Sequence, residues 1–129
     1  MNKIIVEVSV GELLDKISIL EIKKEKIKDA EKLKFINNEH SILKNQLDEN
    51  IKSDKKLNNL YQSLKVINSK LWVIEDDKRQ CEKEKDFGEK FIKLSRDVHF
   101  LNDDRAKIKL EINNHTGSTI KEIKEYTSY

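Results

Sequence analysis

Proline is absent from this 129-residue chain, and glycine (three) and cysteine (one) are nearly so. Each scarcity closes off a class of structure. A doubly wound α/β fold needs glycine-rich turns at its strand ends. A β-sandwich or barrel needs a turn roughly every eight to twelve residues. Three glycines and no proline can supply neither. A single cysteine permits no internal disulfide and gives no sign of an oxidising compartment. No apolar run nears the ~18–20 residues of a membrane helix. Glu7 and Glu12 interrupt the opening string, so it lacks the unbroken apolar segment of a signal peptide. The expectation is a cytoplasmic protein with no membrane partner. Charge of one sign is missing as well: 26 basic residues stand against 24 acidic ones, a net +2. Lysines alternate with acids, as in Glu82-Lys83-Glu84-Lys85, so no basic face offers itself to nucleic acid.

What is present is 39% charged and 36% apolar residues, with a mean hydropathy of −0.74. A disordered chain would carry fewer large apolar residues and a larger charge imbalance. The length suits one domain, residues 1–129, without room for a second core. The class left standing is all-α: an antiparallel helical bundle with a long coiled-coil-like hairpin.

The local signals give its elements. Ile4, Val6 and Val8 fall on one side of an extended segment, which predicts a short N-terminal β-strand. Ser9-Val10-Gly11-Glu12 reads as a capping box, with Val8 and Leu13 as its hydrophobic staple. A helix follows with Val10, Leu13, Leu14, Ile17, Leu20 and Ile27 on its stripe. Past Ile27 the apolar residues (Leu33, Ile36, Leu43, Leu47) fall about two positions out of step. Two positions are ~200° on a helix, so a turn is predicted near 28–32 and a second helix over about 31–48. Asp54 caps a third helix, with Leu57, Leu60, Leu64, Ile67, Leu71, Ile74 and Cys81 on its stripe, ending near residue 85. Cys81 reads there as a buried, inert thiol. Asp86-Phe87-Gly88 is the strongest turn. A fourth helix carries Phe91, Leu94, Val98, Leu101, Ile108 and Ile112, with Arg105 at a core position, and Gly117 is placed as a left-handed cap. The tail from Ser118 to Tyr129 fits a short helix or a strand equally well.

Three strings carry a family resemblance: Val8-Ser9-Val10-Gly11-Glu12-Leu13-Leu14-Asp15-Lys16-Ile17-Ser18-Ile19-Leu20-Glu21-Ile22-Lys23, then Leu71-Trp72-Val73-Ile74-Glu75-Asp76-Asp77, then Asn102-Asp103-Asp104-Arg105 with Lys109-Leu110-Glu111-Ile112-Asn113. Together they resemble a family of small bacterial and phage proteins known only as a domain of unknown function. The resemblance implies no activity and no site residues.

One constellation is chemically pointed. Of 26 basic residues only three are arginine, and Arg79, Arg96 and Arg105 fall within 27 residues. Where lysine is so favoured, an arginine suggests a need for its planar, bidentate fork. The same window holds Glu75, Asp76, Asp77, Asp97, Asp103 and Asp104. Folding the hairpin about Phe87 sets Glu75 opposite His99, Asp77 near Asp97 and Arg96, and Lys70 near Asp104. The candidate ligand residues are therefore Arg79, Arg96, Arg105, Glu75, Asp77 and Asp104, either as a paired structural network or as a site for a small anion. Helical nucleotide pyrophosphatases hold magnesium on paired i, i+3 or i+4 carboxylates. The carboxylates here do not complete that pattern. His40, His99 and His115 lack zinc-ligand spacing, and His40 reads as a core-edge residue. No metal and no cofactor is expected. Trp72 reads as a packing anchor. The function these features imply is a helical interaction module that self-associates, as a homodimer, or binds another protein. The alternative is a ligand-binding or catalytic bundle using the arginine–carboxylate window.

Overall fold

Local capping decides where the helices begin. In the computed structural model, which describes residues 2–129, four helices follow one another. They are α1 (Val10–Lys26), α2 (Ala30–Asn50), α3 (Lys55–Glu84) and α4 (Glu89–Thr116). Ser9 accepts the Glu12 N–H at 3.0 Å, Asp29 accepts those of Glu31 and Lys32 at 2.9 and 3.2 Å, and Asp54 accepts that of Leu57 at 2.7 Å. Each carboxylate or hydroxyl satisfies a donor that the first helical turn cannot use internally. Ser9 makes only half of the expected capping box, because Glu12 turns away to Lys109. α3 ends on Lys85 in the left-handed region (φ 56°), and α4 on Gly117 (φ 68°). The glycine adopts that conformation without strain.

α3 and α4 form an antiparallel hairpin, joined by the short turn around Phe87 and tied at the far end where His115 of α4 meets Asp54 at 2.8 Å. α1 packs against all three other helices, and α2 lies along α1. The core sits where α1 crosses the half of the hairpin remote from the turn. Leu14, Leu57, Leu64 and Ile112 are buried together, with Val10, Leu47, Ile51, Leu60, Tyr61 and Ile108 packed around them. Burying each of those four contributes about 2 kcal/mol. Cys81 is buried, as its stripe position predicts.

The expected strand is not formed. Residues 3–8 belong to no helix or strand, and no ladder exists among the described residues. Ile4 is 88% exposed. A strand needs a partner's backbone, and the tail that could offer one is neither helix nor strand. The tail instead runs back along α4. Glu122 reaches Lys109, and the Tyr129 ring stands edge-on to both Phe100 and His99.

Candidate functional site

A carboxylate on α1 organises the centre of the molecule. Asp15 is 1% exposed, and Arg105 of α4 meets it bidentately, Nε at 2.8 Å and Nη2 at 2.5 Å. Asn68 of α3 donates through Nδ2 to Asp15 at 2.9 Å and to Ser18 Oγ at 2.8 Å. Ser18 Oγ in turn donates to the Asp15 carbonyl at 2.7 Å. Its proton is therefore committed, which fixes the nitrogen side of the Asn68 amide toward it. Three helices are joined by one buried carboxylate. Burial, the largest single influence, pushes the Asp15 carboxyl up; the hydrogen bonds from Arg105 and Asn68 and the charges of Arg105 and Lys109 together outweigh it. The net shift is downward. The bond to Asp15 likewise raises Arg105.

One turn further toward the N-terminus of α1 the same construction is repeated. Lys109 holds Glu12 at 2.7 Å and Glu122 at 2.9 Å. Burial works against the Lys109 charge, but its two carboxylates leave it raised overall. The first three N–H groups of α1 are all taken: Val10 donates to Ser118 Oγ at 3.2 Å, Gly11 to Asn113 Oδ1 at 2.7 Å, and Glu12 to Ser9. Gly11 is required by proximity. A Cβ there would stand 2.6 Å from the Lys109 carbonyl oxygen, closer than any side chain is tolerated, so the absence of one lets α1 and α4 meet.

Beside this network a groove of about 340 Å³ opens between α1 and α3, over Arg105. Ile19, Ile22, Leu71 and Trp72 give it an apolar wall, and Asn68, Glu75, Asp76, Arg79 and Arg105 the polar groups. Arg105 is pinned by Asp15, yet its Nη1 has only Asn102 at 3.4 Å, which leaves donors for a bound group. Arg79 makes no ion pair among the described residues. The arrangement can hold a small molecule with an apolar body on Trp72 and an anionic or hydroxylated end on the guanidiniums.

Of the six residues singled out in the sequence, this groove gathers Glu75, Arg79 and Arg105. Arg96 and Asp104 are exposed, Asp77 is half-buried, and none of the three lines the groove or makes an ion pair among the described residues. Arg105 pairs with neither Asp77 nor Asp104 but with Asp15, and Asp97 pairs with Lys93 of its own helix at 2.7 Å. Sequence reasoning missed Asp15, Ser18 and Asn68. The signal was available: Asp15, Ser18 and Ile22 recur at i, i+3 and i+7, a second strip on a helix whose other strip is already apolar. Elsewhere Glu21 accepts from Tyr61, Lys65 reaches Glu25 at 3.0 Å, and His40 Nε2 lies 3.5 Å from Glu21 at the core's edge.

The reverse face of the hairpin differs. Positions 70 and 73–74 on α3 point about 180° away from 72, 75 and 79. There a second groove of about 610 Å³ is lined by Val73, Ile74, Phe100 and Leu101, with Lys70 and Asp97 at its rim. Val73 is 48% exposed and Val66, one heptad earlier, 54%. Among the described residues no group of His, Cys, Asp and Glu could hold a metal ion, and no helix is long and apolar enough to cross a membrane. No curated protein and no solved structure matches the chain. Its sequence from residue 4 to 129 matches the family described as a family of unknown function (DUF6165), and to that family the chain belongs.

Proposed function

We propose that the chain is a cytoplasmic helical interaction module that associates with itself. The observation that carries this reading is the reverse face of the hairpin, where Val66, Val73 and Phe100 stand exposed around an apolar groove. Contiguous apolar surface of this kind marks a contact awaiting a partner. Light scattering across micromolar concentrations tests it. A mass near 30 kDa, twice the chain's 15.2 kDa, is expected, and 15 kDa throughout would overturn it.

A second reading, a small-ligand site, is supported by Arg79 and by the Nη1 of Arg105, held only by a long bond to Asn102, beside Trp72. Glu75 and Asp76 share the groove, so the ligand suited to it carries one anionic group on an apolar body rather than a dense negative charge. The test is a thermal-shift series with phosphate, sulfate, nucleotides and sugar nucleotides, with and without magnesium. Mass action raises the melting temperature for any ligand that binds the folded state alone. Arg79→Met is the diagnostic variant, since Arg105 also holds Asp15. A saturable rise lost in Arg79→Met supports the site, and a flat series rejects it.

A further inference from the structure

We propose that the groove between α1 and α3 takes a single α-amino acid with a large apolar side chain, bound as its zwitterion. This rests on the small-ligand reading and names the ligand's class. Asn68, Trp72, Glu75 and Arg79 form one strip along α3, because residues three and four apart are neighbours on a helix. Exposure rises along that strip. Asn68 is buried, Trp72 is half-buried, and Glu75, Asp76 and Arg79 are exposed. On the α1 wall Ile22 is 1% exposed. The groove is therefore apolar within and charged at its rim.

The rim carries both signs of charge. Asp15 is the partner of Arg105, which leaves one guanidinium, Arg79, against two carboxylates, Glu75 and Asp76. Glu75 stands four residues before Arg79 and Asp76 three, spacings at which acid and base ordinarily pair along a helix. Elsewhere such pairs are closed: Lys44 meets Asp48 at 3.1 Å and Lys93 meets Asp97 at 2.7 Å. Among the described residues Arg79 closes neither of its own.

A ligand with an anion alone would meet two acids within a turn of that guanidinium, and a cation alone would leave Arg79 without a partner. An α-amino acid answers both. Its ammonium and carboxylate share one carbon, and the side chains that would receive them start about 5–6 Å apart. The carboxylate goes to Arg79 as a bidentate pair, the ammonium to Glu75 and Asp76, and the side chain inward against Trp72 and Ile22. Both charges then stay at the exposed rim, where they need not be stripped of water. The groove's volume of about 340 Å³ lies near the low end of the ~300–1,000 Å³ of ligand sites, which suits one amino acid better than a nucleotide.

Trp72 is the only tryptophan in the chain, so its fluorescence reports on the groove directly. The full chain is titrated with L-phenylalanine, with phenylpropionate, which lacks the amine, and with phenethylamine, which lacks the carboxylate. L-Phenylalanine is expected to bind about fivefold tighter than either, the reach of one partly exposed ion pair. Glu75→Gln combined with Asp76→Asn is expected to erase its preference over phenylpropionate, and Arg79→Met its preference over phenethylamine. All three positions are exposed, so the variants keep the fold, which circular dichroism checks. Phenylpropionate binding as tightly as L-phenylalanine overturns this proposal and leaves the small-ligand reading standing. Phenethylamine binding as tightly, or preferences unchanged in the variants, overturns it too. Silence of Trp72 toward all three compounds also overturns it, and the phosphate and nucleotide series then decides the small-ligand reading by itself.

Discussion

Asp15 is the residue on which the polar interior depends. Reading the sequence puts Arg105 in a network with neighbouring carboxylates, Asp77 and Asp104 among them, and on that basis Arg105→Met keeps the fold and even stabilises it. Its actual partner is almost fully buried, which reverses the expectation. Removing the guanidinium leaves a carboxylate sealed among α1, α3 and α4, and stranding one member of a buried pair costs about 3–5 kcal/mol. Because the Arg105 side chain is 27% exposed, the lower end of that range applies. The pH dependence has a definite sign. The folded-state pKa of Asp15 is depressed, so its pairing contributes stability above the unfolded value near 4 and loses it as pH falls through the depressed one. In Arg105→Met, burial acts without its main counterweight, so Asp15 takes up a proton more readily in the folded variant. Urea midpoints of the two proteins at pH 7 and pH 4 test this. The deficit of Arg105→Met is expected to narrow at pH 4, and an equal deficit at both would remove Asp15 from the explanation.

At the scale of the element, α1 is a helix whose N-terminus is received by another helix. The Ser9 bond is local, and Ser9→Ala is expected to cost about 1 kcal/mol. Asn113 is different: it is 1% exposed and takes the Gly11 N–H from across the interface. Asn113→Ala strands a buried donor and is expected to cost about 2 kcal/mol. Chemical denaturation of both variants checks the order, and a Ser9→Ala effect larger than that of Asn113→Ala would contradict it. The same contrast explains what was legible beforehand. Ser9, Asp54 and Gly117 could be read because a cap and its backbone target lie within a few residues. The turn after Ile27 could be read because a phase break in the stripe requires one. Glu75, Arg79 and Arg105 stood out because arginine is rare here. Asp15 and Asn68 did not, because one-stripe periodicity assumes that a helix buries one side, whereas α1 touches three helices. The strand over 3–8 failed for the complementary reason: alternation shows that a segment can pair, and only another backbone makes it do so.

Across the whole molecule the stabilising contacts are unevenly spread. α3 is about 45 Å long and α1 about 26 Å, so α1 covers only part of the hairpin, and its buried contacts concentrate in the half remote from the turn. The buried residues of the hairpin follow suit: Leu57, Leu64, Asn68, Lys109, Ile112 and Asn113 lie in that half, and Cys81 alone is buried near the turn. Amides open with free energies that track such local packing. Hydrogen exchange is therefore expected to show a gradient, slowest around Leu64 and Ile112 and faster by at least tenfold between Glu82 and Leu94. The reverse-face stretches 70–74 and 97–101 fall between, and they are where the proposed self-association would add protection. At nanomolar protein they should exchange at the rate set by the hairpin alone, and at tens of micromolar they should slow. Exchange measured at both concentrations decides the matter. Uniform protection along α3 would mean that the turn half is held by contacts other than α1, and a gradient that ignores concentration would leave the hairpin's outer face solvent-exposed at every concentration measured.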